Sequence, residues 1–230
     1  MKHQYHEIVM VSYDEEILKG KAVAQRLVIK TPEYYEFMDK YCKTRADNIR
    51  NNPWLYQNIP GNLEGELRYK DKRWDYMDIN DFCRCGLVAA VSEKVKKIFE
   101  DLNISKDEYV MKPILDKRYG IQYYLLFLYV IPTSELIYPD SVFYEWLKED
   151  VRIQFQSYEE RMKALDEKKT FFPIWKTVLP EKYAERDIIL LENASYANPF
   201  FSERIINAFK EQKIYGYESN PWSRNRIEFK

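Results

Sequence analysis

The clearest pattern of apolar and polar positions lies between Arg84 and Ile131. After Ser92, apolar side chains recur at intervals of three and four residues, a spacing that places them on one face of an α-helix. The members of this face are Val95, Ile98, Phe99 and Leu102. Ser is a favourable N-cap residue, and the carboxylate of Glu93 suits the positive end of the helix dipole. The pattern therefore predicts a helix that begins at Ser92 and buries one face.

Two apolar runs follow this helix and are separated by a short polar turn. Tyr109 to Leu115 precedes a turn at Asp116 to Gly120, and the run Ile121 to Ile131 then extends to Pro132. This order is typical of a β-hairpin. We expect the second strand to be buried on both faces, and at 11 residues it is shorter than the roughly 20 apolar residues that a membrane-spanning helix needs.

A later segment resembles the one around Ser92. Residues 91–99 (VSEKVKKIF) and 201–209 (FSERIINAF) share the Ser-Glu-basic start, the β-branched residue after it and a Phe seven positions after Ser. A closing Ile follows each segment, at Ile104 and Ile214. Similarity at a fixed spacing is the signature of an internal repeat, but capped helices can also match by chance, and the sequence leaves both explanations open.

Similar patterns predict further elements along the chain. The predicted strands are 8–13, 21–30, 151–155, 171–179 and 187–191, and the predicted helices are 31–49, 140–147 and 158–169. We therefore predict an α+β fold of mainly antiparallel strands with packed helices, which contains two related strand–helix halves if the segments at Ser92 and Ser202 are a repeat. A single compact domain is expected, and the Pro- and Gly-containing segment 52–65 is the best boundary between an N-terminal part, 1–60, and a second part, 66–230.

Several motifs resemble a family of small bacterial proteins that are regarded as immunity proteins of polymorphic toxin systems. The motifs that carry the resemblance are Gly86–Lys94, Lys112–Ile114, Tyr123–Leu126, Phe200–Arg204 and Ile214–Tyr217, within residues 74 to 218. They are structural motifs and include no catalytic signature. The resemblance implies a non-enzymatic protein without a cofactor, which binds and neutralises a cognate protein toxin.

Charge and cysteine content change this picture only slightly. The chain has 36 Lys and Arg against 37 Asp and Glu, so its net charge of −1 gives no overall attraction to nucleic acid or to a membrane surface. No basic-then-apolar leader begins the sequence, and three cysteines are too few for a disulfide framework. We therefore expect a cytoplasmic protein.

Residues with metal-binding or nucleophilic chemistry are few and poorly spaced. His3 and His6 are the only histidines, and Cys83-x-Cys85 lacks the usual Cys-x2-Cys spacing of a zinc site. A Ser or Cys nucleophile would need one of these two imidazoles as its base. We expect no bound metal and no nucleophilic catalysis.

Two alternative functions depend on local clusters. Asp75, Asp78 and Asp81 would share one face if their segment were helical, and could then hold a divalent cation or an acid/base pair for an enzyme. Cations interleaved with rings are typical of single-strand binders and favour a nucleic-acid-associated regulatory or phage-defence protein. These cations and rings are Lys70, Lys72, Arg73, Trp74, Trp222, Arg224 and Arg226.

The predicted partner-binding residues come from two charged and aromatic segments. Trp, Tyr and Arg are enriched at the centres of protein interfaces, which makes such segments the candidates for contact with a toxin. The predicted contact residues are Arg73, Trp74, Asp75, Tyr76, Tyr217, Trp222 and Arg224.

Overall fold

The computed structural model describes residues 4–10, 25–42, 53–68, 74–79, 86–192, 198–220 and 226–230. These residues hold four α-helices and fifteen strands, and most strand pairs are antiparallel, so the predicted α+β fold is confirmed. The helices are α1 (Pro32–Cys42), α2 (Glu93–Asp101), α3 (Tyr158–Lys168) and α4 (Glu203–Glu211). The strands are β1 (Tyr5–Met10), β2 (Arg26–Ile29), β3 (Leu63–Leu67), β4 (Tyr76–Ile79), β5 (Leu87–Val91), β6 (Tyr109–Asp116), β7 (Ile121–Leu128), β8 (Val130–Ile131), β9 (Val142–Glu145), β10 (Lys148–Ile153), β11 (Ile174–Leu179), β12 (Ile188–Leu191), β13 (Phe200–Ser202), β14 (Tyr217–Asn220) and β15 (Arg226–Phe229).

The strands form three sheets with three hydrophobic cores. A closed sheet has the order β2-β3-β6-β7-β5-β4, a five-stranded sheet has the order β14-β1-β13-β12-β8, and a four-stranded sheet has the order β10-β9-β11-β15. The first core lies within the closed sheet and against α1. The second contains α2, α4 and the facing sides of the closed and five-stranded sheets. The third lies between the five-stranded and four-stranded sheets and is bordered by α3.

The closed and five-stranded sheets share one topology. The order β6-β7-β5-β4-β2 in the first matches β14-β1-β13-β12-β8 in the second, and the last pair of each series is parallel. The registers also agree. Val91 and Phe201, the residues just before the helix-capping serines, lie opposite Tyr76 and Ile188 respectively. Shared order and shared register favour an internal repeat over a chance match.

Each half of this repeat contributes one strand to the sheet of the other half. β1, the first strand of the chain, pairs with β13 and β14, which flank α4. Its equivalent β7 pairs with β5 and β6, which flank α2. The two sheets are therefore joined by exchanged central strands, and the pairings of β1 cross the predicted boundary at 52–65.

The two repeated helices contact each other through equivalent residues. Phe99 of α2 and Phe209 of α4 both lie seven positions after the capping Ser, and their rings stack with centroids 6.4 Å apart. Both helices end in the same way, with left-handed Asn103 and Lys213 followed by buried Ile104 and Ile214. The pair forms the centre of the second core.

The predicted elements are mostly confirmed in the described residues. The helix after Ser92, the β6–β7 hairpin, the start of α1 at Pro32 and the polar helix α3 all occur where the pattern placed them. The predicted helix at 140–147 is wrong, because Val142–Glu145 pairs with β10 and β11 as a strand. Residues 43–49 of the predicted first helix lie outside the described part of the chain. None of the described helices has the length and apolar character to cross a membrane.

Candidate partner-binding surface

Three of the predicted contact residues lie in the interior. Trp74, Asp75 and Tyr76 are all buried, at the start of β4 and beside the turn that follows α4. A buried side chain offers no surface to a partner, so the positions of these three do not fit their prediction as interface anchors. The nucleic-acid hypothesis loses the stacking ring of Trp74 for the same reason.

The remaining predicted contact residues are partly buried or outside the described residues. Tyr217 on β14 packs against Phe209, with ring centroids 5.0 Å apart, and burial raises the pKa of its hydroxyl to about 12. Arg73, Trp222 and Arg224 lie outside the described part of the chain.

Asp75 is buried because it joins the two halves of the repeat. Its carboxylate accepts hydrogen bonds from the Ser92 hydroxyl at 2.7 Å, from the Lys94 ammonium at 3.2 Å and from the Tyr215 amide at 3.2 Å. The Tyr215 carbonyl in turn accepts from the Asp75 and Tyr76 amides. This close approach needs Gly216, which has φ +101° and would place an added Cβ atom 2.0 Å from the Tyr76 carbonyl oxygen.

An equivalent cluster surrounds Asp187 in the other half. Its carboxylate accepts from the Ser202 hydroxyl at 2.6 Å and pairs with the guanidinium of Arg204. Glu108 accepts from the Asp187 and Ile188 amides at 2.8 and 2.7 Å, and burial raises the pKa of its carboxyl to about 7. The hydroxyls of Ser92 and Ser202 thus donate to Asp75 and Asp187 respectively. Neither side chain accepts a capping hydrogen bond from an amide of its own helix.

The predicted carboxylate cluster does not form on one face. Asp75 precedes β4 and Asp78 lies within it, and in a strand residues three apart point to opposite sides. Asp78 pairs with Arg26, while Asp81 lies outside the described residues. Within the described ranges, no group of three His, Cys, Asp or Glu side chains is arranged to hold a metal ion.

A different region exposes aromatic and aliphatic side chains. Among the described large apolar residues, Trp146 is 38% exposed, Leu147 is 84% exposed and Phe171 is 68% exposed. The amide of Trp146 donates to the Phe171 carbonyl at 2.9 Å, which fixes the hairpin of β9 and β10 beside the segment that enters β11. We name these three residues the aromatic tip. Val151, also exposed, lies on β10 of the same hairpin.

Leu147 occupies a position that local backbone energetics do not favour for a leucine. It lies between Glu145 and Lys148, which pair across the hairpin, and its φ is 69°. Gly and Asn are the residues that usually adopt positive φ in such turns. A bulky apolar side chain here costs backbone strain and remains in water, so its presence is not explained by the stability of the fold.

The aromatic tip has a buried base and a charged edge. Phe172, next to Phe171, is buried against Phe155 in the third core. Lys148, Lys168 and Lys169 are exposed around the tip, as is Asp150 on β10 of the hairpin, and Lys148 pairs with Glu145 at 2.7 Å. The surface is therefore apolar at its centre and charged at its rim.

Sequence reasoning missed this surface because the apolar pairs at 142–143 and 146–147 fit a helical spacing. One signal was available. Trp146 and Leu147 are adjacent large apolar residues between charged neighbours, an arrangement that suits a hairpin tip as well as a helix face. The pairing of β9 with β11 decides between the two.

Comparison with known proteins adds no further constraint. No model of a known protein family matches the chain, and no curated protein is significantly similar to it. The aromatic tip and the sequence motifs are thus the observations that bear on function.

Proposed function

We propose that this chain is a cytoplasmic, non-enzymatic, immunity-like protein that binds and neutralises a cognate bacterial protein toxin through the aromatic tip. The observation that carries the proposal is the exposure of Trp146 and Leu147 on the β9–β10 hairpin next to exposed Phe171, which the Trp146 amide contacts. The resemblance of the motifs around Ser92 and Ser202 to immunity proteins supports the choice of a toxin as the partner.

The composition of the aromatic tip suits the centre of a protein interface. A standard interface buries about 1,600 Å² in total, and a few anchor side chains provide most of the binding free energy. Aromatic anchors in such positions typically cost about 2 kcal/mol or more of binding free energy when truncated. Two aromatic rings and one leucine can therefore dominate the affinity for a partner.

The rim of the tip carries charges of both signs. Exposed Lys148, Lys168 and Lys169 lie with the carboxylates of Glu145 and Asp150, the latter on β10 of the same hairpin. We infer a toxin surface with an apolar pocket and polar groups around it.

Leu147→Gly is the sharpest test of the proposal, because it should weaken binding without lowering the stability of the fold. Glycine relieves the positive φ, so we expect the free energy of unfolding to stay constant or to rise by up to about 1 kcal/mol. Removal of the exposed side chain should weaken toxin binding by about tenfold. Phe171→Ser should weaken binding similarly.

Leu115→Ser provides the matched control, since Leu115 is 41% exposed but lies at the end of β6, in the closed sheet.

The experiment first isolates the toxin encoded beside this gene with the tagged wild-type chain, and then measures its affinity for each variant by calorimetry. Rescue of bacterial growth on toxin expression provides the second measurement. Unchanged affinity and rescue for Leu147→Gly and Phe171→Ser would reject the tip, and failure of the wild-type chain to bind any adjacent toxin would reject the function.

A further inference from the structure

His6 is a buried histidine on β1, the strand that the second half of the repeat receives from the start of the chain. Its side chain is only 6% exposed, and neither ring nitrogen has a hydrogen-bond partner among the described residues. Buried polar groups are nearly always hydrogen-bonded, so an imidazole with two unpaired nitrogens needs an explanation beyond packing.

The register of β1 decides which way His6 points. His6 lies directly opposite Phe201 of β13, and residues directly opposite each other in an antiparallel pair share one face of the sheet. Phe201 belongs to the second core and contacts Phe209 of α4, with ring centroids 6.1 Å apart. The imidazole therefore faces α4.

Tyr124 holds the equivalent position in β7, opposite Val91. The equivalence extends along both strands. Four positions after His6 and after Tyr124, the strand residue lies opposite a tyrosine, Tyr217 in one half and Tyr109 in the other. The ring centroid of each of these tyrosines is 5.0 Å from that of the equivalent phenylalanine of its helix.

The polar end of Tyr124 is satisfied, whereas that of His6 is not. The Tyr124 hydroxyl donates to the carboxylate of Glu93, the first residue of α2. Glu203 is the first residue of α4 and the equivalent of Glu93. The shorter imidazole makes no hydrogen bond to it. A titratable side chain thus replaces a hydrogen-bonded tyrosine at the centre of the sheet.

The surroundings of His6 accept a neutral imidazole better than a charged one. Burial and the ammonium of Lys210 lower the pKa of His6 below its ordinary value of 6.5, and the carboxylate of Glu203 opposes them only in part. β13 consists of Phe and Ser and brings no charge to this face. Tyr217 of β14, on the same face, stays neutral because burial raises its pKa to about 12.

We propose that His6 is a pH-sensitive latch on β1, and that protonation of its imidazole releases this strand from β13 and β14. Above about pH 6.5 the imidazole is neutral in the closed and in the released strand, and the latch is closed. As the pH falls below this value, the released strand binds a proton that the closed strand does not, so release becomes more favourable.

Release of β1 would open the five-stranded sheet at its second position and expose the edges of β13 and β14. The equivalent strand β7 has no such control, because Tyr124 does not titrate in this range. The latch depends on the fold and on no toxin, so its test can succeed or fail whether or not the proposed function is correct.

Hydrogen exchange of the full chain at about pH 7.5 and about pH 5.5, corrected for the intrinsic exchange rates, measures the release of β1. A closed strand that stays unprotonated and a released strand with the ordinary histidine pKa predict that the protection of the β1 amides falls about tenfold between these values. The β7 amides provide the internal reference and should not show this fall.

His6→Phe and His6→Tyr each keep a ring that cannot take up a proton, and both should abolish the fall. His3→Gln is the control, since it removes the other histidine of the chain and should keep the fall. If the His6 variants do not fold, an NMR titration of the single imidazole in His3→Gln should give a midpoint below 6.5. A midpoint at or above 6.5, no fall in the wild-type protein, or an equal fall in His6→Phe would overturn the latch.

Discussion

Glu108 and the carbonyl of Tyr215 occupy equivalent positions in the two halves. Each accepts hydrogen bonds from two successive amides, those of Asp187 and Ile188 for Glu108, and those of Asp75 and Tyr76 for Tyr215. One half thus uses a backbone oxygen where the other uses a side-chain carboxylate. The carboxylate brings an ionisable group into the interior, which makes this half sensitive to pH.

Substitution of Glu108 by Gln should reveal this sensitivity. Burial raises the pKa of the carboxyl from 4.5 in the unfolded state to about 7 in the folded state. Between these two pH values the folded protein holds a proton that the unfolded protein has lost. The stability provided by Glu108 is therefore greatest below pH 4.5 and is lost as the pH rises to about 7. Relative to Glu108→Gln, the free energy of unfolding of the wild-type protein should fall by up to about 3 kcal/mol across this range.

Urea unfolding of both proteins at a series of pH values measures this difference. The other carboxylates titrate equally in the two proteins, so their contributions cancel. A difference that increases with pH would mean that the two amide donors and the nearby arginines outweigh the cost of burial.

The two helix-capping serines show where local sequence rules are incomplete. Ser92 and Ser202 were recognisable as the residues that begin a helix, and both helices begin there. Their hydroxyls nevertheless donate to Asp75 and Asp187, which are distant in sequence. The position of a cap follows from the local backbone, whereas the partner of its side chain depends on which strand lies nearby.

At the scale of elements, α2 and α4 are held by equivalent but unequal ion pairs. Arg204 pairs with the buried carboxylate of Asp187 through two nitrogens, and its third nitrogen donates to the Leu102 carbonyl at the end of α2, at 2.8 Å. Lys94 makes one bond to Asp75 at 3.2 Å and reaches the Lys213 carbonyl at the end of α4 at 3.5 Å. Each helix thus places a cation at the carbonyl end of the other, where the helix dipole favours it.

Alanine substitutions at these two positions should differ in cost. Arg204→Ala removes the cation that pairs with the buried carboxylate of Asp187, so we expect a loss of about 3 kcal/mol of stability. Lys94→Ala removes a half-exposed ammonium, and we expect a loss of about 1 kcal/mol or less. Chemical denaturation of both variants measures the two values, and equal losses would contradict the unequal roles assigned to the two ion pairs.

Elements with strong local signals were predictable, and the hairpin of β9 and β10 was not. The β6–β7 hairpin has a polar turn between two apolar runs, and α2 has a cap and a clear apolar face. The segment 140–147 has apolar residues at a spacing that fits a helix, but its Phe143 is a core residue of a sheet. Pairing with β11, about thirty residues away, determines its conformation.

At the scale of the whole molecule, the exchange of β1 and β7 makes each half dependent on the other. Fragment 1–118 contains the strands around α2 but lacks β7, the central strand between β5 and β6. Fragment 119–230 contains the strands around α4 but lacks β1. A missing central strand exposes unpaired backbone groups and apolar side chains on both sides of the gap.

Separate expression of these fragments should therefore give unfolded or aggregated chains, whereas co-expression should give a stable one-to-one complex. The break lies in the exposed turn between β6 and β7, so it removes no strand residue. Co-purification through a tag on one fragment, followed by circular dichroism, provides the measurement. A single fragment that unfolds cooperatively on its own would show that the halves do not depend on the exchanged strands.

The sequence by itself determined the α+β class, most of the helices and strands, and the similarity between the segments at Ser92 and Ser202. These features depend on periodicity, capping and turn residues, which act over a few positions. Only the tertiary structure decided which strands are exchanged, that Trp74 and Tyr76 are buried, and that Trp146, Leu147 and Phe171 lie together at the surface. Burial and contact depend on pairing between distant segments, and the same aromatic residue can serve a core or a surface until that pairing is known.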